Sequence, residues 1–151
     1  MEKLIVGKSL ETQLSALLAT LPSDAIVSYM VTRLNEGEEA TIVASSKETQ
    51  IHTGASMVKT LILEYVFHLA AQEQLDINDT IALSRSPRVE GAGALMELVG
   101  NHSFSYLELC RLMMILSDNW ATNLLIQALG MEYINARAEQ IGLEYFEINR
   151  M

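Results

Sequence analysis

One segment limits the possible folds more than any other: residues 56–74 read SMVKTLILEYVFHLAAQEQ. Apolar side chains fall around most of the helical circumference, which predicts a helix buried inside a core. Such a helix needs other elements on several sides, so the remaining chain has to supply them. Lys59 is unexpected in this place, because a buried ammonium group is costly and a cation near a helix N-terminus opposes the helix dipole.

The first part of the chain predicts one helix and a β-hairpin. The helix begins after Ser9 and ends before Pro22, and five leucines share one of its faces. These are Leu10, Leu14, Leu17, Leu18 and Leu21. Residues 25–34 and 40–45 are rich in β-forming residues, and the turn NEGEE joins them, which is typical of a hairpin.

The rest of the chain is predicted to be mostly helical. A loop-rich segment at 75–95 precedes apolar helices at 105–116 and 120–130 (WATNLLIQALG), and a further helix at 131–142 (MEYINARAEQIG); the last two end in glycine. A helix, two strands and a block of helices predict an α+β fold that is mostly helical. Two strands alone make a marginal sheet, so we expect a truncated chain, the first part of something larger.

Composition excludes several classes of function. The chain has 151 residues, a formal net charge of −9 and a pI near 4.7, which argues against a nucleic-acid partner or an anionic membrane surface. The apolar run at 61–71 is too short to span a bilayer, so we expect a soluble protein. No signal peptide is visible. The localisation therefore stays open: cytoplasmic as the sequence stands, extracytoplasmic if a leader was removed.

Cysteine and histidine give no sign of a metal or a cofactor. The one cysteine, Cys110, excludes an internal disulfide and is expected to be a small buried apolar residue. His52, His68 and His102 are far apart, with no carboxylate–histidine spacing that joins them. We expect neither a metal site nor a cofactor.

Ser56 and Lys59 together suggest a nucleophile and its base. Residues three apart share one helical face, and a hydroxyl in the first turn lies near the positive end of the dipole. An amine whose pKa burial has lowered can accept the serine proton. The alternative stays open: a serine at a helix start is often only a cap, and a lysine there can extend to water.

A second candidate is the break between two apolar helices at Ser117-Asp118-Asn119. These residue types are preferred helix caps, and a helix follows. The functional interpretation is that the break directs a hydroxyl and an amide into a cleft, where Ser117 relays a proton and Asn119 holds both the lysine and a substrate carbonyl.

The two motifs together resemble the class A β-lactamases and their penicillin-binding-protein relatives, a family of serine hydrolases. GASMVKTLIL is similar to the family's nucleophile segment, RVEGAGALMEL to the loop that follows, and SYLELCRLMMILSDNWATNLLIQALG to its helix–SDN–helix segment. INARAEQIGLEYFEINRM resembles the stretch that leads to the family's Ω-loop. The resemblance covers about positions 10–151 and implies a β-lactamase-like fold.

This resemblance implies roles for individual residues. Ser56 would be acylated, with its backbone N–H forming half of the oxyanion hole, and Lys59 would accept or relay the proton. Ser117 would pass the proton to the leaving nitrogen. Asn119 would orient Lys59 and contact the substrate, and Asp118 would brace the turn. The substrate would be a small acyl compound, a β-lactam or a related amide or ester.

The sequence also departs from the family. The Lys-Thr-Gly motif is absent, and so are the Ω-loop glutamate, the remaining strands and the C-terminal helix. We therefore expect residues 1–50, with the N-terminal helix and hairpin, and residues 51–151, with both motifs, to form an incomplete fragment that cannot turn over a substrate. Its uncovered surfaces predict a homo-oligomer or a complex with a complementing fragment.

Two other functions compete with hydrolysis. One is a non-catalytic binding or assembly module that keeps the fold and the motifs. The other is a helical interaction protein with no site, which leaves Lys59 unexplained. Arg85 and Arg88 lie in the loop near the expected cleft and could attract a carboxylate substrate, although a solvated loop is the default interpretation.

Overall fold

A computed structural model describes residues 9–34 and 39–149. The chain divides into two compact units, with the boundary between His52 and Thr53. Each unit is described by itself below.

The first unit contains a helix and a two-stranded antiparallel hairpin. Helix α1 (Leu10–Leu18) is capped by Ser9, whose side chain accepts from the backbone N–H of Thr12. It ends at Leu18, earlier than predicted, and the backbone N–H groups of Thr20 and Leu21 then donate three residues back, to the carbonyls of Leu17 and Leu18.

Strands β1 (Tyr29–Arg33) and β2 (Thr41–Ser46) confirm the predicted hairpin. The register shifts once, because Val31 pairs with Ala44 and Thr32 with Ile42, so the bulge leaves Val43 without a direct partner. The predicted turn at 35–39 lies almost wholly outside the described residues.

The second unit begins with a 3₁₀ turn at Ala55–Met57, which leads into helix α2 (Val58–Ala71). Helices α3 (Tyr106–Ile115), α4 (Asn119–Leu129) and α5 (Met131–Gln140) follow, and they confirm the three predicted helices. The sequence did not predict the short antiparallel pair of β3 (Thr80–Ala82) and β4 (Ser103–Ser105).

Local chemistry explains where these helices begin and end. Ser105 and Glu108 form a reciprocal capping box at the start of α3. Asp118 caps α4 by accepting from the backbone N–H of Ala121 at 2.9 Å. Gly130 ends α4 with φ +88°, a value that glycine adopts without strain.

The core of the second unit is made by one cluster of buried side chains from α2, the β3 region and the three later helices. Its members include Leu61, Ile62, Val66, Ile81, Leu95, Leu109, Met113, Leu124, Leu125 and Ile134. Only one face of α2 is buried, and Phe67 on another face is exposed among the described residues, so this helix is less enclosed than predicted. The architecture is α+β and mostly helical, which confirms the predicted fold class.

Within the described ranges, no helix has the length and apolar character that a bilayer crossing requires.

Candidate active site

Ser56 lies in the 3₁₀ turn immediately before α2, two residues ahead of the start of the α-helix in which we predicted it. The preceding residue, Ala55, has φ +41°, a left-handed conformation that is uncommon for a residue with a Cβ. A non-glycine residue held in this conformation is often found at functional sites.

The amine of Lys59 is the centre of a polar cluster. Its Nζ donates to the Ser117 hydroxyl at 2.7 Å and to the Ser117 carbonyl at 2.8 Å. It also lies 3.2 Å from Oδ1 of Asn119 and 3.4 Å from Oγ of Ser56. The two serine hydroxyls are 3.4 Å apart. The four predicted site residues therefore come together around one nitrogen atom.

Ser117 reaches this cluster because the chain turns sharply between α3 and α4. Its φ of +54° is left-handed, in a place after a helix end that glycine usually occupies. This turn lets the carbonyl and the hydroxyl of the same residue both accept from Lys59.

Burial adjusts the chemistry of the lysine. The Lys59 side chain is only 6% exposed, and this desolvation lowers its pKa below that of a free lysine. The negative charge of Asp118 opposes the shift but does not cancel it. A lysine with a lowered pKa is a better proton acceptor near neutral pH.

Asp118 connects two backbone segments, residues 94–95 and the start of α4, and is itself almost fully buried, at 1% exposure. One carboxylate oxygen caps α4, and the other accepts from the backbone N–H groups of Ala94 and Leu95, at 2.7 and 2.9 Å. The backbone N–H of Asn119 donates to the carbonyl of Ala92 at 2.9 Å. We call residues 90–95 (EGAGAL) the glycine loop.

A cavity of about 710 Å³ opens beside the cluster. Its lining contains Ser56, Lys59 and Asn119 from the predicted site. The remaining lining residues are Ala55, Val58, Arg88, Val89, Glu90, Thr122, Asn123, Ile126 and Ile148. The lining includes one of the two arginines proposed for a carboxylate substrate, Arg88, and omits Arg85.

Sequence reasoning missed the part of the glycine loop that borders this site. Glu90 lines the cavity, and two glycines with positive φ, Gly91 and Gly93, pack against Asn119 and Asp118. The Gly-x-Gly spacing in a loop was the available signal, because such glycines often mark a close approach of backbone to another group.

The cysteine and histidine considered next have surroundings of their own. Cys110 is buried in the core, as predicted, and burial raises its pKa to about 11. His52 pairs with the hydroxyl of Ser28 at 2.8 Å in the first unit. In the part of the chain that the structure describes, no three potential metal-ligand side chains (His, Cys, Asp or Glu) cluster together.

Comparison with known proteins finds similar sequences and similar solved structures. Beta-lactamase BRO-1 from Moraxella catarrhalis is 29% identical over 112 residues, which are 69% of this chain and 36% of that protein. A solved structure of PBP-A has a TM-score of 0.75 at 25% identity and covers 93% of this chain and 51% of its own.

Two further structures are similar. A mutant of PBP-A, solved as an acyl-enzyme complex with penicillin G, has a TM-score of 0.77 at 26% identity and covers 93% of this chain and 52% of its own. A beta-lactamase from Sphaerobacter thermophilus DSM 20745 has a TM-score of 0.68 at 25% identity, over 80% of this chain and 44% of its own. The chain thus spans about half the length of these solved proteins, or less. The model of the beta-lactamase enzyme family matches residues 9–151, so the chain belongs to that family.

Proposed function

We propose that this protein is a serine hydrolase in which Ser56 forms a covalent acyl-enzyme with a β-lactam or a related amide or ester. One observation carries the proposal: a buried lysine amine lies within 3.4 Å of the Ser56 hydroxyl and 2.7 Å of the Ser117 hydroxyl, beside an open cavity. The family membership and the penicillin complex of PBP-A support the same substrate class.

The proposed reaction starts with proton transfer. Neutral Lys59 accepts the hydroxyl proton of Ser56 while Oγ forms a bond to the carbonyl carbon of the substrate. The carbonyl carbon–nitrogen bond then breaks. Ser117, whose hydroxyl accepts a hydrogen bond from Lys59, takes up the proton from the amine and passes it on to the leaving nitrogen. The 3.4 Å distance between Nζ and Oγ of Ser56 is long for this transfer, but such contacts often shorten once substrate is bound.

Asn119 has two proposed tasks. Its Oδ1 accepts from Lys59 at 3.2 Å, which directs the amine toward the serines. Its amide nitrogen is a donor for a substrate carbonyl in the cavity that Asn119 lines. Asp118 is proposed to act through the backbone alone, because its carboxylate oxygens are occupied by three N–H groups.

The first test is intact-mass spectrometry after incubation with penicillin G. We expect one adduct with the mass of the intact antibiotic on the parent chain and none on Ser56→Ala. Lys59→Met is expected to acylate at least about a hundredfold more slowly, since it removes the general base. An equal adduct on Ser56→Ala would place the nucleophile elsewhere and contradict the proposal.

We further propose that residues 1–151 alone keep the acyl group instead of releasing it. The sequence contains no Lys-Thr-Gly, the motif that the family resemblance would require for complete chemistry. Sustained hydrolysis of nitrocefin by the purified chain, with Ser56→Ala as the control, would refute this. The same absence favours the second candidate, a non-catalytic binding module, for which we expect no adduct on either chain.

The first unit supports a proposal about partners. Several of its large apolar side chains are exposed among the described residues, namely Leu17, Ile26, Met30, Leu34, Ile42 and Ile51. We propose that they are covered in a homo-oligomer or by a complementing chain, because apolar patches of this kind mark interaction surfaces. A monomer by light scattering at micromolar concentration would contradict the homo-oligomer.

A further inference from the structure

The glycine loop holds the turn at Asp118 and Asn119 from two directions. The backbone N–H groups of Ala94 and Leu95 donate to the Asp118 carboxylate, and the carbonyl of Ala92 accepts from the backbone of Asn119. Three hydrogen bonds, two of them to a buried carboxylate, therefore fix the loop relative to the start of α4. The loop has little freedom to move away from the turn.

Gly91 is the residue of this loop that meets the Asn119 side chain. Its φ is +112°, and a Cβ at this position would lie 2.6 Å from Nδ2 and 3.8 Å from Cγ of Asn119. Non-bonded heavy atoms attract at about 3.5–4.0 Å, so the amide would have to retreat by most of an ångström. Because Gly91 has no Cβ, the Asn119 amide can occupy its observed position.

The position of the amide matters because its other end holds the catalytic lysine. Oδ1 of Asn119 accepts from Nζ of Lys59 at 3.2 Å, which is near the long end for a hydrogen bond. The amide group is planar, and the backbone of Asn119 is held by Ala92. If Nδ2 moves away from position 91, the whole amide therefore rotates, and Oδ1 moves away from Nζ of Lys59.

We propose that Gly91 is a positioning residue that keeps the Asn119 amide within hydrogen-bond distance of Lys59. The importance of this role for catalysis rests on the function proposed above. Neither the family match nor the resemblance of the motifs assigns this role to the glycine loop. Gly91 touches no reacting atom, and it acts only through Asn119.

The chain offers a matched control in Gly100. Its φ is +100°, close to that of Gly91, but a Cβ added there meets nothing within 4 Å. Gly91→Ala and Gly100→Ala therefore share the cost of placing alanine at positive φ, and only Gly91→Ala adds the contact with Asn119. The difference between the two variants isolates that contact.

The first readout is the rate at which penicillin G acylates the full chain, followed by intact mass. We expect Gly91→Ala to slow acylation about tenfold or more, because small displacements of a catalytic group have large effects on rate. Gly100→Ala should stay within about twofold of the parent, as its added Cβ has no neighbour to displace. In an Asn119→Ala background, Gly91→Ala should cause no further loss. A loss that persists in this background, or an equal loss in Gly100→Ala, would overturn the proposal.

The second readout does not depend on acylation. The protonation of Lys59 is followed by NMR on protein labelled with ¹³C-lysine, which also contains Lys3, Lys8 and Lys47. The Lys59 signal is the one that Lys59→Met removes. An ammonium group that loses an acceptor is less stable, so we expect Gly91→Ala to lower the pKa of Lys59 while Gly100→Ala does not. Asp118, Arg88 and Glu90, the charged groups around the amine and its cavity, are present in both variants.

The two readouts separate the two proposals. If the parent chain forms no adduct but Gly91→Ala still lowers the Lys59 pKa, the proposed function fails and the positioning role stands. If the parent chain is acylated and the two alanine variants behave alike in both readouts, the positioning role fails. If Gly91→Ala does not fold, the contact with Asn119 predicts that Gly91→Ala/Asn119→Ala does. Failure of that double variant to fold would contradict the proposal.

Discussion

The two compact units differ sharply in how much of their apolar surface they bury. In the second unit, α2, α3, α4 and α5 all contribute buried side chains to one cluster. In the first unit, α1 buries no residue, and Ala44 on β2 is the only buried one among those described at 9–34 and 39–52. Both units have regular secondary structure, so the difference lies in packing.

This difference shows where a precise site can be built. Catalytic side chains must be held close to their productive geometry, and packed neighbours supply that support. Ser56, Lys59, Ser117 and Asn119 all belong to the unit with the core. Several large apolar residues of the first unit stay exposed among the described residues, and the partner proposed above would cover them.

The largest loss of stability is expected from removing the Asp118 carboxylate, which joins the glycine loop to the packed second unit. We expect Asp118→Ala to lower the free energy of unfolding by about 4 kcal/mol, because three backbone N–H groups lose their acceptor. Urea denaturation measures the loss. The control is Asp76→Ala, an exposed carboxylate that also accepts from a backbone N–H, for which we expect about 1 kcal/mol or less. Similar losses in both variants would show that burial of Asp118 is unimportant.

Truncating one leucine in each unit tests the packing difference directly. Leu124 is 1% exposed and Leu17 is 61% exposed. Leu124→Ala should cost about 3 kcal/mol through lost contacts and a cavity, whereas Leu17→Ala should stay within about 0.5 kcal/mol at a protein concentration too low for the proposed oligomer to form. A large cost for Leu17→Ala at that low concentration would show that the leucine face of α1 is already buried within the single chain.

A smaller effect is expected at the ion pair between α2 and α5. Arg137 donates to both carboxylate oxygens of Glu64, which holds the pKa of that carboxyl below its usual value. Glu64→Gln should cost about 1 kcal/mol or less at pH 7, because Glu64 is partly exposed and solvent screens the pair.

The pH dependence of this ion pair has a definite sign. The pKa of Glu64 is lower in the folded state than in the unfolded chain, where it is near 4.5. The stabilisation by the ion pair is therefore fully present above the unfolded pKa and is lost as the pH falls through the folded pKa. The parent and Glu64→Gln should therefore converge in stability as the pH falls below 4.5 and through the folded pKa of Glu64. A gap between the two that stays constant down to acid pH would exclude the charge as its cause.

The last prediction needs no substitution in the parent chain and uses chemical labelling of Cys110 in the second unit. Cys110 is buried, and its pKa of about 11 leaves little thiolate at pH 8. We expect a thiol reagent to label it only as fast as the second unit opens, and Leu124→Ala to accelerate labelling. Fast labelling of the parent chain in native buffer would contradict a stable core around Cys110.

Hydrogen exchange should show weaker protection in β1 and β2 than in α4.

How far the sequence predicted the fold depended on whether the signal was local. Ser9 and Gly130 marked helix ends correctly, because caps act on the neighbouring backbone. The pair of β3 and β4 was missed. Each strand has three residues, too few for an alternating pattern, and the partners are more than twenty positions apart in sequence.

The site shows the same limit. The spacing of Ser56 and Lys59 suggested a pair on one helical face, whereas their approach to Ser117 depends on a left-handed turn that no short pattern announced. The role of Gly91 and Gly93 was not visible either, since it depends on which side chains the folded loop meets. The catalytic roles of the four residues stay predictions until acylation is measured.

The alternation of residues in the glycine loop also limits how this protein can evolve. A Cβ at Gly93 would come within 2.8 Å of the Asp118 Cα and closer still to its carboxylate, so position 93 is closed to every other amino acid, and position 91 nearly so. Glu90, by contrast, is exposed and lines the cavity. Of the residues in the glycine loop, Glu90 is therefore the one through which selection can change the lining of the cavity, and a saturation library of the loop would show tolerated and forbidden positions side by side.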